Sequence, residues 1–200
     1  FRSPTLQQGL QATRENTGTA PVELPFTLDQ NNGIRMRGTI NGSAPLDFAF
    51  DTGAKRNYVV KARLANKAPL KFESSVYDVG SDGVSKAEVS SHNRLTIGDL
   101  KWENVDLVTS SIGNVDAIIG WSAFEGKLID INYDRNVMTI HESPTTIANG
   151  YTKLPLRTYS GSPFVQATVT IGDTSFTDWF LFDSGFNAAA GSPCPYAGNA

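Results

Sequence analysis

Two stretches of this chain write the same phrase. Phe48-Ala49-Phe50-Asp51-Thr52-Gly53-Ala54 and Trp179-Phe180-Leu181-Phe182-Asp183-Ser184-Gly185 each carry an apolar run up to an Asp, then set a small hydroxyl residue and a Gly behind it. Such a run reads as a buried strand, and a carboxylate at its end is costly unless it is hydrogen-bonded, shared or protonated. One copy alone would be satisfied by an Asx turn, in which Asp accepts backbone N–H groups and Gly supplies a permissive φ. Two copies ask for more. Leu24-Pro25-Phe26 stands before the first Asp at nearly the spacing at which Leu154-Pro155-Leu156 stands before the second. Between them lie paired strands with a Gly-bearing turn: 34–40 and 46–50 about Asn41-Gly42, then 164–171 and 176–182 about Gly172-Asp173. Alternating residues around such turns predict hairpins, so the chain holds an internal repeat with one carboxylate per copy.

Composition narrows the function classes. With 17 basic and 20 acidic residues among 200, net charge −3 and no dense basic run, nothing invites nucleic acid or an anionic membrane. A lone Cys194 has no intrachain disulfide partner, and His92 and His141 stand apart from other ligands, so neither a metal nor another cofactor is expected. No apolar run reaches the length of a membrane span. The chain opens on Phe1 without an initiator Met, which suggests a processed or trimmed product and is compatible with export to a periplasm, a cell surface or the medium.

In chain order, residues 1–22 read as a polar leader, 23–143 as one domain, and 144–200 as a linker followed by an incomplete second repeat. Tyr58-Val59-Val60 predicts a strand and 61–66 a short helix. Lys55 and Arg56, just behind the first Asp, are expected to face solvent, the alternative being that a nearby cation lowers the carboxylate pKa. Strands at 75–79 and 84–89 flank Gly80-Ser81-Asp82-Gly83, as a projecting lid or an ordinary surface hairpin. Further hairpins are expected at 95–108 and 128–141, with Trp102, Val105, Leu107 and Val108 in the core. The apolar pair Ile118-Ile119 before Gly120 predicts a buried strand. Ser122 after it is expected to cap a helix; as a hydrolase elbow it would need Gly where Phe124 stands.

In their order, Phe50-Asp51-Thr52-Gly53-Ala54, the Gly-tipped hairpin, Ile118-Ile119-Gly120 and the closing hairpin resemble the retropepsin-like aspartyl proteases, most nearly the bacterial proteins that carry such domains in tandem. The resemblance implies an all-β fold, a retropepsin- or pepsin-like acid-protease barrel with one complete lobe and the start of a second. It implies an aspartic-type endopeptidase in which Asp51 and Asp183 activate a water between them. Thr52 and Ser184 would brace the two loops through their hydroxyls, Gly53 and Gly185 would allow close backbone approach, and Ile118, Ile119 and Gly120 would pack beneath the first loop. Gly80, Ser81, Asp82 and Gly83 would form a flap tip over a peptide or protein substrate, with Tyr77 offering it a hydroxyl.

The departures bear on assembly. The stretch after Asp183 lacks the apolar-apolar-Gly strand and closing hairpin of the first copy. Three arrangements are compatible with that: a piece of a longer two-lobed enzyme, which the repeat favours; a homodimer that brings two copies of Asp51 together; or Asp51 and Asp183 paired in an incomplete cradle. Lys55-Arg56 stands where small or aliphatic residues are expected, which keeps open an alternative function, a catalytically silent β-rich module that binds peptide in the same groove.

Overall fold

A computed structural model describes residues 20–80, 83–111, 113–142 and 150–185. The expectations placed on 1–19, on the flap-tip residues Ser81 and Asp82, and on the segment after Gly185, Cys194 included, lie outside the described residues.

The first copy folds as the alternation predicts. Strand β3 (Ile34–Ile40) buries every second residue, Ile34, Met36 and Ile40 among them, and β4 (Leu46–Asp51) does the same with Leu46, Phe48 and Phe50. Asn41 and Gly42 join them with φ of 52° and 74°, and the Ser43 N–H closes the turn on the Ile40 carbonyl at 3.0 Å. Left-handed backbone at both central positions is what a tight hairpin turn requires, and Asn-Gly tolerates it best.

Beyond β4 the chain departs from simple hairpins. Strand β5 (Asn57–Val59) leads into a single turn of helix, α1 (Lys61–Leu64), shorter than expected. Strands β6 (Ser74–Gly80) and β7 (Gly83–Ile97) form the projecting hairpin. The two strands expected on either side of residue 92 are one long bent strand, β7, whose register against β8 (Leu100–Thr109) slips between Ser90 and Leu95. Asn93 holds that irregularity together. Its buried amide donates to the Ser90 and Val105 carbonyls at 2.8 and 3.2 Å, which satisfies backbone that the ladder leaves open.

Strand β9 (Ala117–Gly120) inserts between β4 and β5, parallel to the first and antiparallel to the second. With the pairing of β3 to β7, strands β3, β4, β9, β5, β8 and β7 close into a ring, and β2 (Thr27–Leu28) and β6 extend it outside. Strands β1 (Val22–Pro25), β10 (Leu128–Asn132) and β11 (Val137–His141) form a separate three-stranded sheet that adds Leu24, Met138 and Ile140 to the same core. A 3₁₀ turn at Trp121–Phe124 follows β9, with Gly120 at its N-cap position and no side-chain cap. Ser122 therefore sits inside the turn and does not cap it, because the chain bends two residues earlier than its hydroxyl suggests. The turn swings Phe124 edge-on against Phe50 and Trp102, with centroids 5.6 and 5.5 Å apart, so the residue preceding Asp51 is wedged between the barrel and the turn.

The second copy provides a three-stranded sheet, β12 (Leu156–Tyr159), β13 (Ser162–Ile171) and β14 (Thr174–Leu181). Its apolar residues are far less covered than those of the barrel: Phe50, which precedes Asp51, is fully buried, whereas Phe182, which precedes Asp183, is half exposed. Among the described residues no helix is long and apolar enough to cross a membrane.

Candidate active site

The two Asp phrases meet. Strand β4 delivers Asp51 beside Gly120, its parallel partner on β9, and the chain then turns sharply. Gly53 and Ala54 donate their N–H groups to Asp51 Oδ1 at 2.8 and 3.2 Å, and Gly185 donates to Asp183 Oδ1 at 2.9 Å. Each Asp is thus held by its own loop.

Each loop is in turn held by the other. The Thr52 N–H donates to Ser184 Oγ at 3.0 Å, while the Ser184 N–H donates to Thr52 Oγ1 at 2.8 Å. The Thr52 hydroxyl in turn donates to the Phe182 carbonyl at 2.7 Å, and the Ser184 hydroxyl to the Phe50 carbonyl at 3.4 Å. Four hydrogen bonds in a near-symmetric exchange span sequence gaps of 130 to 134 residues. Outside this core the indole N–H of Trp121 reaches the Gly161 carbonyl at 2.7 Å, fixing the turn of the second copy against the first. The two Asp phrases are, in space, a pair of loops locked face to face.

Glycine makes the approach possible. A Cβ on Gly53 would lie 2.5 Å from Asp183 Cγ, and one on Gly185 would lie 2.5 Å from Asp51 Cγ, far inside contact distance. Each carboxyl therefore stands directly over the glycine of the opposite loop. Gly120 plays the same part below: a Cβ there would meet the carbonyl oxygens of Ala54 and Arg56 at 2.4 Å. Ile119 is fully buried in the barrel, while Ile118, its neighbour, turns to the cavity above the Asp loop.

Burial pushes the Asp51 carboxyl up, and the Asp183 charge and a hydrogen bond from that carboxyl push it further, to about 7. The N–H groups of Gly53 and Ala54 pull the other way but do not prevail. Like charges this close cannot both ionise at little cost, so the pair retains a proton where an isolated Asp has lost it.

Asp51 opens into a cavity of about 460 Å³, lined by Ser184 and Gly185 from the second copy and by β4, β5 and β6 of the first. Sequence alternation leaves the parity of the projecting hairpin open, and there the side chains fall otherwise than expected: Tyr77 is 77% exposed and outside the lining, while Asp78 faces the cavity and is 9% exposed. Gly80 and Gly83 end the two strands at the tip. Tyr58, which the sequence marks only as a strand residue, also lines the cavity, with Asp78 as its side-chain hydrogen-bond partner. Lys55 and Arg56 do not simply face solvent; they lie 3.6 and 3.8 Å from Asp78 Oδ1. Elsewhere on the lining, Asp29 accepts from the N–H groups of Asn31 and Gly33 and from Arg35, whose guanidinium also reaches Asn114. Burial raises the Asp29 carboxyl, but those donors outweigh it and hold it below its ordinary value.

One further carboxylate supports the site from beneath. Asp116 is buried, accepts the Asp47 N–H at 3.0 Å and pairs with Lys67 at 2.7 Å and Arg63 at 3.7 Å, tying α1 to the entry of β4 and β9. Burial raises its carboxyl, yet the Asp47 N–H, then Lys67 and Arg63, hold it below the usual range. Asp116→Asn is expected to lower stability by about 1–3 kcal/mol in denaturant unfolding, since the backbone donor and two cations lose their charged acceptor. Among the described residues no group of three or more His, Cys, Asp or Glu side chains is placed to hold a metal ion.

Comparison with known proteins agrees with this geometry. Residues 36–123, from β3 to the 3₁₀ turn, match the family model described as aspartyl protease. That stretch, less than half of the chain, is similar to aspartyl proteases, and its fold is mostly strands. Among solved structures, a retropepsin-like aspartic protease from Rickettsia conorii is similar at 16% identity and a TM-score of 0.43, over 62% of this chain and 94% of that one. No curated protein matches the sequence.

Proposed function

We propose that this chain is an aspartic endopeptidase whose working pair is Asp51 and Asp183. The observation that carries the reading is the meeting of the two carboxyls over each other's glycines, with Asp51 held protonated up to about pH 7. A pair sharing one proton performs both halves of peptide hydrolysis. The ionised carboxylate takes a proton from a water as it attacks the scissile carbonyl, and the protonated partner donates to the carbonyl oxygen as charge develops there. The protons then reach the leaving nitrogen, and neither role is fixed to one Asp because the pair titrates together. The cavity that Asp51 opens into, lined by residues of β4, β5 and β9 and bounded by Asp78 and Ser85 of the hairpin, has room for a peptide segment.

The pH dependence tests this directly. Above about pH 7 both carboxyls ionise and the donor is lost, so kcat/KM falls about tenfold per further pH unit. Linkage gives the same sign for stability. The folded protein keeps a proton on Asp51 that the unfolded chain gives up near pH 4, so the melting temperature declines as pH rises from about 4 to 7. Asp51→Asn removes that slope. A rate that rises through pH 7 and levels off above it would overturn the proposal.

The pairing joins two Asp residues of one chain, which favours an intrachain dyad over a pair of Asp51 copies across a two-fold axis. Specific activity should therefore stay constant on dilution across the concentration range in which sedimentation shows a monomer. A second-order loss of activity on dilution would restore the dimer.

A further inference from the structure

The flap hairpin has little apolar surface to hold it in place. The first four residues of β7 are exposed, as are Ser74, Ser75, Tyr77 and Val79 on β6, and a two-stranded hairpin is marginal by itself. Asp78 is the exception, turned inward between Tyr77 and Val79. A carboxylate buried in such a hairpin is unfavourable unless compensated. Three groups compensate it, all from the segment that follows Asp51. Lys55 Nζ and Arg56 Nε approach Asp78 Oδ1 at 3.6 and 3.8 Å, Lys55 Nζ also donates to the Val79 carbonyl at 3.4 Å, and the Tyr58 phenol is the carboxylate's hydrogen-bond partner. Tyr58 is anchored by β5, which pairs with Ile118 of β9, and both it and Asp78 line the cavity that Asp51 opens into.

We propose that Asp78 is a positioning residue: through Tyr58, Lys55 and Arg56 it fastens flap strand β6 to the floor of the first lobe beside Asp51, and so sets how tightly the cleft closes on a peptide. Lys55-Arg56, the pair that departs from the family pattern, is on this account one half of the latch. Burial first, and then Asp78, push the Tyr58 phenol above its ordinary value, so it stays a donor throughout the working range. The two cations are partly exposed, so salt weakens their share and leaves the Tyr58 bond largely intact.

The kinetic half of this inference rests on the protease reading; the structural half does not. Asp78→Asn, Tyr58→Phe and the double variant of the full chain are compared by amide hydrogen exchange and by hydrolysis of a fluorogenic extended peptide. Asp78→Asn is expected to speed exchange of the β6 amides about tenfold, with β4 and β8 unchanged, and to raise KM about tenfold while kcat falls less than about threefold. Tyr58→Phe moves the same quantities in the same direction, and the double variant adds little to Asp78→Asn, since both remove one interaction. About 500 mM salt raises KM for the parent and not for Asp78→Asn. Unchanged β6 exchange in both single variants overturns the latch, as does exchange that rises equally in β4 and β8, or additive effects in the double variant. If the parent cleaves no peptide, the protease reading fails, and the β6 exchange alone decides the latch.

Discussion

Asp51→Asn is expected to reduce peptide hydrolysis by at least about 10³-fold while leaving peptide affinity within a factor of a few. General acid–base chemistry contributes roughly 10²–10⁴-fold. Residues that act as a unit lose most of the effect when either is removed. The amide of Asn is nearly isosteric and still accepts the Gly53 and Ala54 N–H groups that hold Asp51 Oδ1, so the loop keeps its shape. It can neither take a proton from water nor share one with Asp183. Asp183→Asn should give a similar loss, because the two loops are related by the Thr52–Ser184 exchange and neither carboxyl has a fixed role. The same pair of variants separates the two functions the sequence leaves open. A silent peptide-binding module would show no turnover before the change and no loss of binding after it. Steady-state hydrolysis and isothermal titration with one peptide, on parent and variants, decide between them.

How far the site is legible in the sequence depends on the range of the interaction that makes it. Local signals serve well. The apolar lead-in to each Asp, the Asn41-Gly42 turn and the alternation through Phe48 and Phe50 are written within a few residues, and the strands stand close to where those signals place them. The Thr52 and Ser184 hydroxyls can be named from the sequence only through the resemblance, since nothing within either loop says that the other lies opposite. The flap is harder. In Ser74–Val79 apolar and polar residues fall on both faces, so alternation does not say which side is inward, and an aromatic hydroxyl looks a better substrate contact than a carboxylate. The structure turns Asp78 inward because three donors from the Asp51 segment wait for it there. Lys55 and Arg56 look like solvent-facing charges for the same reason: their partner is more than 20 residues away. Likewise the parallel entry of β9 between β4 and β5, and the bulge pinned by Asn93, have no periodic signature.

Gly53→Ala tests whether the meeting of the two loops is what makes the pair. The new Cβ would fall 2.5 Å from Asp183 Cγ and 2.6 and 2.7 Å from its two oxygens, where no real contact is tolerated. Gly53 does not use left-handed backbone, so the substitution acts through this overlap and not through strain in its own φ. Something must yield, and the exposed second-copy loop yields more easily than the barrel that holds Asp51. The carboxyls separate, Asp183 no longer raises Asp51, and the upper limb of the pH profile moves below about 7. A displacement of an ångström at reacting groups costs on the order of 100-fold, so kcat/KM should fall at least that much, with a stability loss of only about 1–3 kcal/mol. Gly38→Ala provides the contrast. Its Cβ would meet the Thr96 carbonyl at 2.7 Å and Phe48 at 3.0 Å inside the barrel, so it should cost stability and leave the pH limb where it was. If Gly53→Ala keeps both its rate and its limb, the proton that shapes the profile is not held between Asp51 and Asp183.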